Sequence, residues 1–263
     1  MVVNVSDPPD PCVRGISPLS SPREMALTQT QPHIGMLREK SLHASVKTWY
    51  ARPQDRLESP VGGYVIDIVR DDDLLVEIQT RSFSPLKKKL GQLIKTHHVR
   101  LVHPIATEKW ILKISEHGEE LGRRKSPKRG RVEDVFKELV SIPELVQHER
   151  FALEVLMIRE EEVRIYDGKG TWRHPEWRKE DRRLLEVLEQ RQLSTPKDVA
   201  ALLPGAAALP RPFTNRQLAT AAKLRLNLAG RMTYCLRKMD ALEVVGKGAH
   251  NAQLFAEPEL AQS

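Results

Sequence analysis

The chain is poor in the residues that several familiar protein classes require. It has two cysteines in 263 residues, Cys12 and Cys235, in unrelated settings. A single distant pair gives neither a disulfide framework nor zinc-ligand spacing. A reducing cytoplasm is the expected compartment. Aromatic residues make up only 5% of the chain. No apolar run approaches the roughly 18 residues that a membrane-spanning helix needs, so no membrane partner is expected. The opening MVVNVSDPPDPCVRG has no basic region followed by an apolar one, so no signal peptide is expected either. The sequence also lacks a GxSxG elbow, a phosphate-binding glycine loop and an HExxH helix, which removes three common catalytic frameworks. It has no internal repeat.

What is present is charge. Charged residues make up 29% and hydrophobic residues 40%, and the net charge is +7. That balance suits an anionic partner, either nucleic acid or an acidic membrane surface. Without a membrane signal, nucleic acid is the favoured of the two.

Residues 1–32 are polar and punctuated by Pro8, Pro9, Pro11, Pro18, Pro22 and Pro32, and are expected to be a disordered tail; Met25 and Met36 are alternative starts. Met36, Glu39, His43, Val46 and Tyr50 then follow helical spacing, with Leu42 and Trp49 beside them, and Pro53 ends that helix. An extended piece over 56–59 and a turn over 60–63 precede two predicted strands, 64–70 and 74–80, which form an antiparallel hairpin. A second helix begins at Ser84 and Pro85. Leu86, Leu90, Leu93, Ile94 and His97 form its apolar stripe, with Lys87, Lys88 and Lys89 off it. Strands over 99–105 and 110–114, a basic loop over 123–131, a helix over 132–141 and a strand over 151–159 complete an α/β unit around a mixed sheet. A turn-rich stretch over 168–178, carrying Trp172 and Trp177, reads as a domain boundary.

Beyond it the pattern turns helical. Helices are predicted over 181–190, 195–203, 214–223 and 227–239, the third opened by a capping box from Thr214 to Gln217. A small-residue linker spans 204–212, and a short hairpin joins 242–245 to 253–255. The expected organisation is a tail to residue 32, an α/β domain over 33–178, a small mainly helical domain over 179–258 and a tail over 259–263.

Alternate residues on a strand share a face. Val65, Asp67 and Val69 therefore share one face of the first hairpin strand, and Leu75, Glu77 and Gln79 one face of the second. Both carboxylates interrupt apolar runs, Tyr-Val-Ile-Asp-Ile-Val and Leu-Leu-Val-Glu-Ile-Gln. A buried unpaired carboxylate costs several kcal/mol, roughly, and a second one nearby adds repulsion. A divalent cation relieves both costs, and Mg²⁺ takes one or two carboxylates together with water and substrate phosphate. Asp67 and Glu77 are thus candidate ligands for Mg²⁺ or Mn²⁺. Glu39, on the buried line of the preceding helix, is a candidate third carboxylate. The competing reading is a solvated hairpin with ordinary cross-strand ion pairs. His97, His98 and His103 read as structural.

The order helix, Asp-bearing strand, Glu-x-Gln strand, helix, strand resembles the PD-(D/E)XK, or restriction-endonuclease-like, superfamily. Glu39, Asp67, Glu77 and Gln79 carry that resemblance. It implies a mixed sheet flanked by helices, a prokaryotic origin and metal-assisted hydrolysis of phosphodiesters. In that superfamily the Asp and Glu hold metal and a Lys two residues after the Glu helps orient water. Gln79 stands at that position, and a Gln is neither a cation nor a strong base. Lys87 or Lys89, flanking the stripe of the next helix, is positioned to substitute; Lys88 points away.

Residues 213–255 resemble a winged helix-turn-helix domain. The helix over 227–239 has an apolar stripe of Ala229, Met232, Leu236 and Met239. Arg231, Tyr234, Arg237 and Lys238 lie on its other face, with Lys247 and His250 near the hairpin tip. A recognition helix divides its faces in this way, one packed and one offering cations to the major groove. The expected function is a metal-dependent DNA endonuclease targeted by a winged helix. The alternatives are an inactive nuclease fold that binds DNA or regulates, and a protein-interaction scaffold. A homodimer is compatible with each.

Overall fold

The computed structural model describes residues 41–70, 73–172 and 175–258. Both tails, Cys12 and Glu39 lie outside them. Helix α1 (Ser41–Tyr50) buries Leu42, Val46 and Tyr50, one residue per turn along a single line. Strands β1 (Arg56–Val61) and β2 (Tyr64–Val69) turn back on each other through Gly62 and Gly63, both at positive φ, where a Cβ is disfavoured. Strand β3 (Leu74–Ile78) runs antiparallel to β2, as the hairpin reading requires.

Helix α2 (Lys87–Leu93) crosses from β3 to β4 (His98–Ser115), and β3 and β4 are parallel. A parallel pair cannot be closed by a tight turn, so a crossover element is obligatory here. Strand β5 (Glu120–Lys125), a helical turn at Val132–Val135, helix α3 (Phe136–Leu139), and strands β6 (Phe151–Tyr166) and β7 (Trp177–Leu193) follow. The sheet order is β1-β2-β3-β4-β6-β7, with β5 on the far half of β4. The architecture is α/β, a large mixed sheet flanked by helices.

One face of the sheet buries Leu42, Val46 and Tyr50 of α1 against Ile68, Val76, Ile78 and Val102. The other joins Ile66, Leu75, Leu90, Leu93 and Phe136 in one apolar cluster that continues to Phe213, Met232, Leu236 and Phe255. Those last residues belong to the segment after β7: α4 (Pro196–Ala200), α5 (Asn215–Ala221), α6 (Leu226–Lys238) and the hairpin β8 (Glu243–Lys247) and β9 (Gln253–Ala256). Thr195 with Asp198, and Thr214 with Gln217, form reciprocal capping boxes that start α4 and α5.

Several sequence-based expectations are corrected. Residues 181–190 are not a helix but part of β7, paired antiparallel to β6. Their Leu, Glu and Arg content favours helix, yet long-range pairing overrides local propensity. The apolar spacing misleads for a specific reason. Ile158 pairs with Val187 and Glu160 with Leu184, while register slips leave Leu185 and Leu188 as extra residues. Those bulges put Leu184 and Val187, three apart, against one apolar cluster, and leave Leu185 and Leu188 at 42% and 41% exposure. The strands expected over 99–105 and 110–114 are one strand, β4, with a slip between Ala106 and Glu108. Arg123, Arg124 and Lys125 are not loop but β5. The stretch over 168–178 is mostly the β6–β7 connection, so the boundary expected after residue 178 falls inside β7.

Because the apolar cluster runs unbroken from β2 to β9, calorimetry of the full chain is predicted to give one unfolding transition. Leu236→Ala, at a site of 0% exposure, should shift that single transition by a destabilisation of about 2–5 kcal/mol. Two transitions, only one of them moved by the substitution, would contradict the continuous core.

Candidate functional site

The site lies where β2 and β3 part. Their ladder pairs Val69 with Leu75 and Ile68 with Val76. One residue further, the Asp67 carboxylate takes the place of the strand partner: its Oδ2 accepts the Ile78 amide at 2.8 Å. The same oxygen lies 3.2 Å from Nε2 of His43, on α1. Glu77 is flanked by Val76 and Ile78, which face α1. Strand alternation therefore turns Glu77 toward α2. There Lys89, one residue before the buried Leu90, donates from Nζ to Glu77 Oε1 at 2.7 Å and to the Val65 carbonyl at 2.6 Å.

The group is largely shielded from solvent. Side-chain exposure is 16% for Asp67, 11% for Glu77 and 15% for Lys89. Glu77 Oε2 is buried without a hydrogen-bond partner among the described residues. Burial, followed by the nearby Asp67 charge, raises the Glu77 pKa above the usual carboxylate value, and Lys89 only partly offsets this. Burial also pushes Asp67 upward, but the His43 contact and the Ile78 amide outweigh it and hold its pKa low. The reciprocal effect raises His43, chiefly through its hydrogen bond to Asp67. Two neighbouring carboxylates are thus driven apart in proton affinity, a pattern common at functional sites.

Not every predicted residue is seen at this cluster among the described residues. Glu39 lies outside the described residues. Gln79 does not face Glu77 through its amide: its Oε1 accepts the Arg81 amide at 3.3 Å, and its backbone carbonyl accepts from His103 Nδ1 at 2.6 Å. Lys87 and Lys88 are exposed on α2. Of the three lysines, Lys89 is the one that reaches the carboxylates. His103 packs edge-on to Phe83, and burial lowers its pKa to about 4, so it is a neutral structural residue at neutral pH. Cys235 is buried, which pushes its thiol up to about 12 and leaves it unreactive.

His43 was missed as a member of the site. Its place on the helical line of Val46 and Tyr50 makes it read as core. The signal was its polarity on that line, directly upstream of the Asp-bearing strand. On the same α1 face, Tyr50 donates to Glu154 at 2.6 Å and accepts from Arg100 at 2.9 Å, a buried polar group that the sequence pattern did not reveal.

On α6, Arg231, Tyr234, Arg237 and Lys238 are exposed, as is Lys247 at the end of β8. Arg231 is not free to turn outward: it donates to the Lys137 carbonyl of α3 at 2.8 Å. Ala229, Met232, Leu236 and Met239 form the buried side of the helix.

Residues 40–194 match a family described as Domain of unknown function (DUF8091). The chain belongs to that family. An uncharacterized protein of Treponema pallidum (strain Nichols) is 32% identical over 186 residues, which cover 71% of this chain and 73% of that protein. No solved structure matches the chain. The DUF8091 span ends one residue after β7, so it contains Asp67, Glu77, Lys89 and His43 and excludes α4 to β9.

The His43–Asp67 contact gives a pH signature for this DUF8091 protein. A histidine whose pKa is raised on folding stabilises the fold fully below its ordinary value of 6.5. The contribution is lost as pH rises through the elevated value. NMR titration is predicted to place His43 above 6.5 in the native protein and to bring it down in Asp67→Asn. An unchanged His43 titration in that variant would contradict the pairing.

Proposed function

We propose that the protein is a metal-dependent nuclease acting on DNA, with its C-terminal helices and hairpin as the targeting element. The observation that carries this reading is the contact of Lys89 with Glu77. It supplies, from α2, the cation that Gln79 does not provide two residues after Glu77. The order α1, three antiparallel strands, α2 and a parallel β4 also agrees with the resemblance to PD-(D/E)XK nucleases. The succession of α4, α5, α6 and the β8–β9 hairpin agrees with a winged helix, with Tyr234, Arg237, Lys238 and Lys247 exposed for phosphate or base contacts.

The donor set suits a hard divalent cation such as Mg²⁺ or Mn²⁺. Asp67 and Glu77 offer carboxylate oxygens, and Glu77 Oε2 is a buried oxygen without a partner among the described residues. Such an ion would supply the Lewis-acid charge that favours phosphodiester hydrolysis. The chain's own residues do the rest. The Ile78 amide and His43 fix the Asp67 carboxylate. Lys89, anchored on the Val65 carbonyl, holds Glu77 and presents a fixed positive charge to a phosphate oxygen. Residues α1 and α2 bury on opposite faces keep these groups rigid.

A second reading, a nuclease fold that binds DNA without cutting it, is favoured by one observation. Among the described residues no group of three or more His, Cys, Asp or Glu is arranged to hold a metal ion. Incubation of supercoiled plasmid with Mg²⁺ or Mn²⁺ separates the two. The nuclease reading predicts cleavage by wild type. It predicts a loss of about 100-fold or more for Asp67→Ala, Glu77→Ala and Lys89→Ala, and none for Lys87→Ala. Wild type that leaves the plasmid intact, or variants as active as wild type, would reject it. The second reading instead predicts salt-sensitive DNA binding that survives Asp67→Ala.

A further inference from the structure

A second concave region lies apart from Asp67 and Glu77. It has a volume of about 660 Å³ and is lined by β4, the loop after β5, α3 and the start of α6. Nine of its lining residues are Lys or Arg, and three are Asp or Glu. Five of the nine, Arg81, Lys128, Arg129, Lys223 and Arg225, form no ion pair among the described residues. Cations gathered in a concave space without carboxylate partners repel one another, and an anion relieves that repulsion.

The cleft is built rather than incidental. The loop carrying Lys128 and Arg129 is fastened along β4, with the Ser126 amide on the Lys109 carbonyl at 2.7 Å and the Gly130 amide on the Ala106 carbonyl at 2.8 Å. Gly130 is required for that seat, because a Cβ there would stand 2.6 Å from the Ala106 carbonyl oxygen. Opposite, Arg131 donates to the Ala222 and Lys223 carbonyls at 2.8 and 3.4 Å, which tethers the end of α5 while Lys223 holds a left-handed φ of 53°. Helix α6, 13 residues long, opens onto the cleft through Asn227 and Leu228, and no side chain caps its N-terminus. The dipole of α6 adds to the positive field.

The lining also says what kind of anion fits. Among the described residues it includes no Phe, Tyr or Trp, and its one imidazole, His103, is 7% exposed and packed edge-on to Phe83, so the lining favours backbone contacts over base stacking. The unpaired cations come from three separated places in the chain, Arg81, Lys128 with Arg129, and Lys223 with Arg225, which spreads the charge over the lining. Thr80 and Arg81 of the lining come two and three residues after the end of β3, the strand that carries Glu77. We propose that this cleft grips successive phosphodiester groups of a nucleic-acid strand, reading the backbone and not the bases. The identity of the ligand rests on the nucleic-acid reading above; the binding does not require cleavage.

The test is fluorescence anisotropy of a labelled DNA duplex of random sequence with the full chain in EDTA, across a range of salt. Lys128→Ala/Arg129→Ala and Lys223→Ala/Arg225→Ala are each expected to weaken binding about tenfold or more and to reduce the slope of log K against log salt by about 2. Gly130→Ala, which changes no charge but forces the loop to shift, should also weaken binding. Inorganic pyrophosphate serves as the competitor that distinguishes a small free polyphosphate anion from a strand, and weak competition is expected. Both double variants binding DNA with wild-type affinity and slope would overturn the proposal. So would variants that lose pyrophosphate while keeping DNA. Plasmid cleavage that persists in both double variants with unchanged DNA affinity sinks this inference and leaves the nuclease reading standing. Cleft-dependent binding without cleavage under any metal does the reverse.

Discussion

Glu77 is a carboxylate within a sheet, and the Lys89 ammonium is the contact that makes its charge tolerable there. The position follows from topology. Parallel strands β3 and β4 demand a crossover, the crossover is α2, and the apolar side of α2 must cover Ile66 and Leu75. Once Leu90 and Leu93 are seated, Lys89 is carried to the lip of β3, where it meets Glu77 and the Val65 carbonyl. Removing one partner of such a pair leaves a buried charge unmatched, at a cost of about 3–5 kcal/mol. The hairpin register, the seat of α2 and the carboxylate pair are therefore one constraint seen at three levels.

The same sheet carries a second electrostatic problem further along. Glu160 and Glu162 are at 0% and 1% exposure in β6, and Glu161 at 7%. Lys109 and Arg182 meet Glu160, Arg123 meets Glu161, and Lys109, Arg164 and Lys179 meet Glu162. Burial acts to raise the Glu162 pKa, but those cations prevail and lower it to about 2. This half of the sheet thus consumes many of its own cations internally. The unpaired ones at the cleft stand out against that background, where most buried charge is matched.

The two strands that carry the carboxylates were legible from apolar alternation and turn residues, but alternation alone does not place Asp67, which meets the Ile78 amide and His43 of α1 while Glu77 turns to Lys89 of α2. Asp67 and Glu77 on adjacent antiparallel strands, the apolar stripe of α2 and the capping boxes at Thr195 and Thr214 are local patterns, and the fold keeps them. Spacing alone leaves Lys87 and Lys89 equivalent, because both flank the stripe; the seat of α2 on the sheet brings Lys89 to Glu77 and leaves Lys87 exposed. Strand β7 was illegible because its bulges give Leu184 and Val187 a helical spacing, and the pairing that overrides it comes from β6. The cleft was equally hidden. Its cations are spread from Arg81 to Arg225, and only the packing of α5 and α6 against the main sheet's helices brings them together.

Asp67 and Glu77 are proposed to act as one oxygen site for a divalent ion beside Lys89. Electron paramagnetic resonance of Mn²⁺ titrated into the protein tests it without dependence on substrate or cleavage. One bound Mn²⁺ per chain is expected in wild type, lost in both Asp67→Ala and Glu77→Ala while the fold persists. Wild type that binds no Mn²⁺, or variants that bind it as wild type does, would contradict it.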